Sequence, residues 1–137
     1  MLGVTHLLFS FLFGSFVFNF IGGSLLTKII WASALLAGTF MPDIDAKVVF
    51  LRHRGLLHTI WPVLIFLILG GLLSKLQILF LPLAIGYLGH LTADSLTPSG
   101  IAFFYPISSR KVSGPIRTSS VLELVLVICL LILIFFS

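Results

Sequence analysis

Residues 76–95, LQILFLPLAIGYLGHLTADS, join a long apolar run to a histidine and an aspartate near its end. A helix needs about 20 mostly apolar residues to cross roughly 30 Å of hydrocarbon, and this stretch has that length. The spacing of His90 and Asp94 puts both side chains on one face of such a helix. The stretch therefore predicts a membrane-spanning helix with an ionisable pair in its last turns.

The composition of the whole chain is typical of a membrane protein. The 137 residues are 59% apolar and 9% charged, whereas a soluble domain carries about 25% charged residues. This balance excludes a cytosolic enzyme, a disordered chain and an ordinary nucleic-acid-binding domain. The excess of eight basic over four acidic residues is explained more simply by membrane topology than by binding to DNA. The length allows a single domain over residues 1–137.

Four further apolar stretches are long enough, or nearly long enough, to cross a bilayer. We therefore expect an all-α, polytopic membrane protein with about five transmembrane helices. The third and fifth spans are short and need flanking residues or a thinned bilayer. The first has no basic n-region and no clear cleavage site, so we expect a retained helix rather than a signal peptide. These stretches are about 4–21, 24–41, 57–73 and 120–136.

Basic residues predict how such spans are oriented. Five spans place the N-terminus and the two longer loops on one side of the membrane, and six of the eight basic residues fall there. Because cytoplasmic loops carry the excess of Lys and Arg, we expect that side to be cytoplasmic in an inner or plasma membrane. The six are Lys47, Arg52, Arg54, Arg110, Lys111 and Arg117, against Lys28 and Lys75 on the other side.

All histidines and acidic residues fall on this same predicted cytoplasmic side. Polar residues gather at helix ends in any membrane protein, but that would place them at both ends. Ionisable groups inside a membrane usually face a cavity or one another, which makes them candidates for a functional site. The predicted set is His6, Asp43, Asp45, His53, His58, His90, Asp94 and Glu123.

These residue types favour a metal site. His90 and Asp94 can bind one cation from a single helix face, although such a pair also occurs as a helix-end hydrogen bond. Asp43 and Asp45 follow a proline and can reach one cavity. One of them could be a metal ligand while the other orients a histidine or acts as a general base. The alternative is a solvated acidic turn. Mixed nitrogen and oxygen ligands suit one or two Zn²⁺ ions, with Mn²⁺ or Fe²⁺ as alternatives.

Arginines beside these ligands predict an anionic substrate. Arg54 lies next to His53, where its guanidinium can hold a phosphate or carboxylate, although lipid headgroups are the alternative partner. Arg110 and Arg117 form a further basic patch that would attract a headgroup or a substrate phosphate. Glu123 is expected either as a further ligand or as the partner of Arg117.

The chain resembles the membrane-bound metal-dependent hydrolase family, also described as LexA-binding, inner-membrane-associated hydrolases. The resemblance implies a small helical membrane protein with metal-dependent hydrolase activity. The family is distantly similar to zinc-dependent phospholipases C, whose ligands include a His-x-x-x-Asp pair that His90 and Asp94 match. The matching motifs are TH at 5–6, MPDID at 41–45, HRGLLHT at 53–59, GHLTADSLTPSG at 89–100, YPIS at 105–108 and IRTSSVLE at 116–123.

Together these features predict a metal-dependent hydrolase that cleaves a phosphoester of a lipid or lipid-linked substrate at the cytoplasmic membrane interface. In this prediction Asp43, Asp45 and Arg54 are catalytic, and membrane lipids, but no nucleic acid, are partners. The alternative is a non-enzymatic scaffold or adaptor with a structural metal site. A transporter is disfavoured because the middle of the spans carries no ionisable residue, whereas transporters usually bind near the midplane.

Overall fold

A computed structural model describes residues 1–21, 23–47 and 55–136, with side chains described for 1–19, 23–44 and 55–136. The described chain is helical and contains no strand, only an isolated bridge between Ile101 and Val112. The expected all-α class is therefore confirmed. Five helices follow one another: α1 Gly3–Ile21, α2 Leu25–Phe40, α3 Trp61–Leu72, α4 Gln77–Ser95 and α5 Val121–Phe136.

Helix α4 is the centre of the molecule and packs against α1, α2 and α3, while α5 packs against α1. Two glycines of α4 allow this close approach. A Cβ at Gly89 would come within 2.5 Å of Ser10 Oγ, and a Cβ at Gly86 would clash with the Leu35 carbonyl. Small residues at such crossings let helix backbones meet, as is common in membrane bundles. Gly89 therefore brings α1 directly against the part of α4 that carries His90.

The outer surface of this bundle is strongly apolar. Large hydrophobic side chains are exposed along all five helices, including Phe16, Leu26, Ile68, Leu133 and Phe135. A water-soluble monomer rarely exposes contiguous apolar patches of this kind. The surface therefore matches a hydrocarbon environment.

Helix length agrees with the predicted five spans only in part. Among the described residues, two helical segments are long and apolar enough to cross a membrane, Leu25–Ile44 and Ser74–Ser95. Three apolar helices are shorter: Gly3–Asn19, Trp61–Leu72 and Val121–Phe136. Helix α3 begins later than expected because Leu56–His58 forms a separate 3-10 turn. Its start is fixed by Pro62, since proline favours the first turn of a helix.

Successive helices run in alternating directions, which places several polar ends together. Helices α2 and α4 end, and α1, α3 and α5 begin, on the same side of the bundle. A second 3-10 helix, Met41–Lys47, continues α2 there. The segment 97–120 crosses the same end between α4 and α5, fixed by hydrogen bonds from Gly114 N to Thr97 O (3.1 Å) and from Ile116 N to Leu96 O (3.0 Å).

Candidate metal centre

Five side chains from four separate segments meet at this polar end. Their ligand atoms form two groups of three, and within each group the atoms all lie within 4.8 Å of one another. One group is His6, His90 and Asp94, and the other is Asp43, His58 and His90. His90 belongs to both groups. Residues far apart in the sequence therefore form one cluster, with a geometry that could hold a metal ion.

Asp94 lies between the two groups. Its Oδ1 is 3.2 Å from His6 Nε2, and its Oδ2 is 3.5 Å from His58 Nε2 and 3.8 Å from His90 Nε2. The carboxylate is almost completely buried, with 4% of its side chain exposed. A buried carboxylate needs compensating positive charge or hydrogen bonds. The Met1 ammonium lies 3.7 Å from Oδ1 and three imidazole nitrogens point to the carboxylate, so a cation held among the imidazoles would add to the positive charge around it.

His6 has a second contact that defines what its Nε2 can do. Its Nδ1 is 3.0 Å from the Leu2 carbonyl, where only an N–H can make a hydrogen bond. A neutral imidazole carries one N–H, so this contact leaves a lone pair on Nε2. That lone pair then faces Asp94 Oδ1, and two acceptors at this distance repel unless a proton or a metal ion lies between them. Carbonyl-oriented histidines of this kind are common among metal ligands.

His58 and Asp43 complete the other side of the cluster. Asp43 Oδ1 is 3.7 Å from His58 Nε2 and 3.6 Å from His90 Nε2. The rings of His58 and His90 lie edge to face with their centroids 5.3 Å apart, and the His6 and His90 centroids are 4.2 Å apart. Two ligand atoms of a tetrahedral zinc site, each about 2.1 Å from the ion, are about 3.4 Å apart. The distances of 3.6 and 3.7 Å from Asp43 Oδ1 to the two imidazole nitrogens are close to this value.

The surroundings of His90 provide the clearest test of whether the cluster fits a metal. His90 is 1% exposed, and neither of its ring nitrogens has a hydrogen-bond partner among the described residues. Buried polar atoms are nearly always hydrogen-bonded, because an unsatisfied one costs about 1–3 kcal/mol. The distances from Nε2 to the two aspartates are too long for hydrogen bonds but suitable for shared coordination. The residues present therefore fit a divalent metal ion.

Only one of the five side chains is substantially open to solvent. Asp43 has 47% of its side chain exposed, whereas His6, His58, His90 and Asp94 are all buried. The cluster thus has a closed inner side formed by α1 and α4 and an open edge at Asp43. A small molecule can approach the ligand atoms only where the protein leaves them accessible. The geometry indicates that this approach is from the Asp43 edge.

Neighbouring groups hold the histidines in place. The Tyr87 hydroxyl of α4 donates a hydrogen bond to the Leu57 carbonyl, which fixes the turn that carries His58. The same turn is held by Thr59 Oγ1, which donates to Leu56 O at 2.7 Å. On α1, Ser10 Oγ donates to Gly86 O at 3.0 Å, one turn from His6. The Tyr87 and Ser10 contacts tie the segments that carry His58 and His6 to α4, which carries His90.

Glu123 lies outside both groups, and its oxygens have other partners. Oε1 accepts hydrogen bonds from Leu2 N (2.8 Å) and Thr5 Oγ1 (2.7 Å), and Oε2 accepts one from Ser119 N (2.6 Å). No ion pair joins Glu123 to Arg117 within the described part of the chain. The carboxylate therefore fastens the beginning of α1 to the beginning of α5 and is not placed as a ligand. Arg110 and Arg117 are exposed and are likewise outside the two groups.

Three predicted site residues fall outside what the structure describes. His53 and Arg54 belong to the undescribed segment 48–54, and the side chain of Asp45 is not described. The predicted roles of Asp45 as ligand or base, of His53 as ligand and of Arg54 as substrate clamp stay predictions. The side chain of Lys47 and residue Arg52, two of the basic residues used to predict the orientation, are likewise not described.

The residue pattern contained a signal for the role of Glu123 that the metal hypothesis overlooked. Residues 120–123, SVLE, match the capping box, in which a serine before a helix and a glutamate three residues later satisfy free N–H groups. Ser120 Oγ accepts a hydrogen bond from Glu123 N at 3.3 Å, as the motif requires. Glu123 also bonds to Thr5, and Tyr87 bonds to Leu57. These are contacts between distant segments, and no local sequence pattern predicts them.

A comparison with protein-family models finds a match over the full chain. The model described as YdjM inner membrane protein covers residues 1–137. The chain therefore belongs to the YdjM inner membrane protein family. Neither the curated proteins nor the solved structures gave a match.

Proposed function

We propose that this member of the YdjM inner membrane protein family is a metal-dependent hydrolase that cleaves a phosphoester of a lipid or lipid-linked substrate. The observation that carries the proposal is the buried cluster around His90, whose two ring nitrogens have no hydrogen-bond partner among the described residues. Membrane proteins rarely keep several ionisable groups together at a helix end without a functional reason. Here three imidazoles and two carboxylates converge from distant parts of the chain.

His6, His58, His90, Asp43 and Asp94 would hold the metal. Their mixed nitrogen and oxygen donors suit Zn²⁺, with Mn²⁺ or Fe²⁺ as alternatives, and the two overlapping groups leave room for one ion or two. A bound divalent ion lowers the pKa of a coordinated water and neutralises charge on a phosphoryl oxygen. The nearest thiol, Cys129, lies far along α5 and contributes nothing to this donor set.

In this proposal the buried residues hold the metal, and the exposed residues take part in the reaction. The buried His6, His90 and Asp94 are fixed by α1 and α4, which keeps their ligand atoms in position and excludes bulk water from that side. Asp43 is the exposed member, so it is the carboxylate that can accept a proton from an attacking water. Arg54 and Asp45, close to Asp43 in sequence, are proposed as the phosphate clamp and as an alternative base.

The membrane setting favours a lipid substrate. All five helices are proposed to cross or enter the bilayer, with the shorter α3 and α5 accommodated by their flanking turns or by local thinning. The metal cluster then lies at the cytoplasmic interface, at the depth of lipid phosphates. A phosphoester anchored in the same interface would be concentrated there and would reach the cluster by lateral movement in the bilayer. Arg110 and Arg117, exposed on the same end, are proposed to attract its negative charge.

The test is metal analysis followed by assays of the intact protein in detergent or nanodiscs. We expect purified protein to contain about one or two equivalents of zinc, manganese or iron by elemental mass spectrometry. Phospholipids and lipid-linked phosphates should be hydrolysed, and a chelator should abolish turnover until metal is restored. Wild-type protein that binds no divalent metal after incubation with each ion would refute the proposal.

A structural metal site in a scaffold or adaptor is the second candidate, and the burial of four of the five side chains favours it. The two candidates differ at Asp43, because a structural site needs no open edge. Asp43→Asn keeps the shape and one oxygen that can still face the metal, but removes the carboxylate that accepts the proton, so metal content is measured alongside turnover. In an enzyme it should lower turnover at least about 100-fold while the fold is retained. In a scaffold there is no turnover to lose, and His90→Ala should cost thermal stability.

A further inference from the structure

A second feature of the molecule is an apolar groove between α1 and α2, which runs from beside the His and Asp cluster to the opposite end of the bundle. It encloses a cavity of about 510 Å³, within the range of small-molecule and lipid-chain pockets. Its walls include Leu7, Phe11 and Phe18 from α1 and Trp31, Leu35 and Leu36 from α2. The wall from Leu7 to Asn19 is thirteen residues of helix, whose ends are about 18 Å apart at 1.5 Å of rise per residue. The groove is therefore long and narrow.

The polar groups along most of the groove are already satisfied by the protein. Ser10 Oγ donates to Gly86 O at 3.0 Å, Ser15 Oγ to Leu12 O at 3.0 Å and Thr39 Oγ1 to Leu35 O at 2.8 Å. Each hydroxyl is thus turned into the bundle and bonded to a backbone carbonyl. The length of the groove presents a hydrocarbon surface despite these three polar residues.

The remaining polar groups collect at the end furthest from the metal cluster. Lys28 lies in the first turn of α2 and Asn19 near the end of α1, and both line the cavity. The indole Nε1 of Trp31, one turn from Lys28, is buried with the residue 4% exposed and has no hydrogen-bond partner among the described residues. All four acidic residues of the chain, Asp43, Asp45, Asp94 and Glu123, lie in the segments of the opposite end. This end of the groove therefore carries the positive charge of Lys28, with no acidic partner among the described residues.

We propose that the groove between α1 and α2 binds one anionic phospholipid, with its phosphate at Lys28 and its acyl chain lying along the groove towards Thr39. The charge of Lys28 complements the phosphate, and the exposed Asn19 amide can donate to the phosphate or ester oxygens. The apolar wall takes the acyl chain. The headgroup of this lipid lies at the opposite end of the molecule from the His and Asp cluster, so the proposed phosphate site is separate from the proposed hydrolase site.

Quenching of Trp31 fluorescence tests the proposal directly. The chain has two tryptophans, so Trp61→Phe leaves Trp31 as the only indole. We would titrate this variant in detergent micelles with phosphatidylglycerol brominated on its acyl chains, and in parallel with brominated phosphatidylcholine. The expected result is saturable quenching with about fivefold higher apparent affinity for phosphatidylglycerol, the effect of one lysine near an anionic headgroup.

Matched variants separate a lipid site from general exposure to lipid. Lys28→Gln should remove the preference for phosphatidylglycerol, while Lys75→Gln, on the same side but outside the groove, should keep it. Ala32→Phe fills the groove and should reduce quenching by both lipids, whereas Ala37→Phe, an exposed α2 position outside the groove, should not. Equal quenching by the two lipids, or a preference that survives Lys28→Gln, would overturn the proposal. Circular dichroism establishes that each variant is folded.

Discussion

At the scale of single residues, His90 is the side chain that both groups of the candidate cluster share. We expect His90→Ala to weaken zinc binding by more than about 100-fold, since even outer-shell partners of metal ligands contribute 10–100-fold. His6→Ala and His58→Ala should weaken binding less, because each leaves one complete group of three. Competition with a chromogenic chelator measures the three affinities. An unchanged affinity in His90→Ala would exclude this site as the metal centre.

Substitution of Glu123 should lower stability without lowering metal content, which distinguishes a structural carboxylate from a metal ligand. Glu123→Gln keeps the size of the side chain but turns an acceptor into a donor that faces N–H or O–H groups. We expect a loss of about 1–3 kcal/mol in the free energy of unfolding, seen as a lower melting temperature, because a buried group is left unsatisfied. Metal content should not change. Asp94→Asn is the control, with metal content lost; loss of metal in Glu123→Gln would instead return Glu123 to the ligand set.

The residues of the candidate cluster could be predicted from the sequence to a large extent. The i, i+4 spacing of His90 and Asp94 and the position of His6, Asp43 and His58 at the polar ends of apolar runs were sufficient to group them. The role of Glu123 was not predictable from that clustering, because every acidic residue on one side looks like a ligand when its hydrogen-bond partners are unknown. Its three partners come from Leu2, Thr5 and Ser119, two of which are more than a hundred residues away.

At the scale of helices, the sequence indicated their number and order but not all their lengths. The predicted third span begins at residue 57, but Leu56–His58 forms a 3-10 turn that presents His58 to the cluster, and α3 begins only at Trp61. That turn is stabilised by Tyr87 and by a hydrogen bond from Ile60 N to Phe103 O at 2.9 Å, contacts that no local pattern contains. Tertiary bonding at the site therefore shortens α3 relative to the hydropathy prediction.

The crossing of α1 over α4 is set by Gly89, and its substitution should disturb the site at a distance. In Gly89→Ala the new Cβ would lie 2.7 Å from Ser10 Cα and 2.8 Å from Ser10 N, so the α1 backbone must move. We expect a destabilisation of about 1–3 kcal/mol from overpacking. Zinc affinity should also be weaker, because His6 is carried on the displaced helix. Thermal unfolding and chelator competition measure the two effects.

Gly71 offers a matched control on a neighbouring helix. A Cβ at Gly71 meets nothing within 4 Å, so Gly71→Ala should be neutral or stabilising by up to about 1 kcal/mol through helix propensity. If Gly89→Ala behaved like Gly71→Ala in both measurements, close contact between α1 and α4 would not be what positions His6.

At the scale of the whole molecule, the two ends of the bundle have different chemistry. One end carries the buried His and Asp cluster and the exposed Arg110 and Arg117, and the other carries Lys28 and Lys75 without any acidic residue. Apolar side chains cover the helices between them. A soluble protein has no reason to separate its charges in this way, whereas a protein with two aqueous faces and a lipid-facing middle does. The asymmetry is the basis on which an orientation in the membrane is predicted.

The predicted orientation can be measured with single cysteines. Cys129 is the one cysteine of the chain, so Cys129→Ser gives a background for Lys75→Cys and Arg110→Cys, at exposed positions on opposite ends. Because six of the eight basic residues fall on the predicted cytoplasmic side in the sequence, the positive-inside rule predicts Arg110 in the cytoplasm and Lys75 outside it. A membrane-impermeant maleimide should label Lys75→Cys in intact spheroplasts and Arg110→Cys only after the membrane is opened. The reverse pattern would place the metal cluster on the outer face, and equal labelling of both in intact spheroplasts would contradict a fixed orientation.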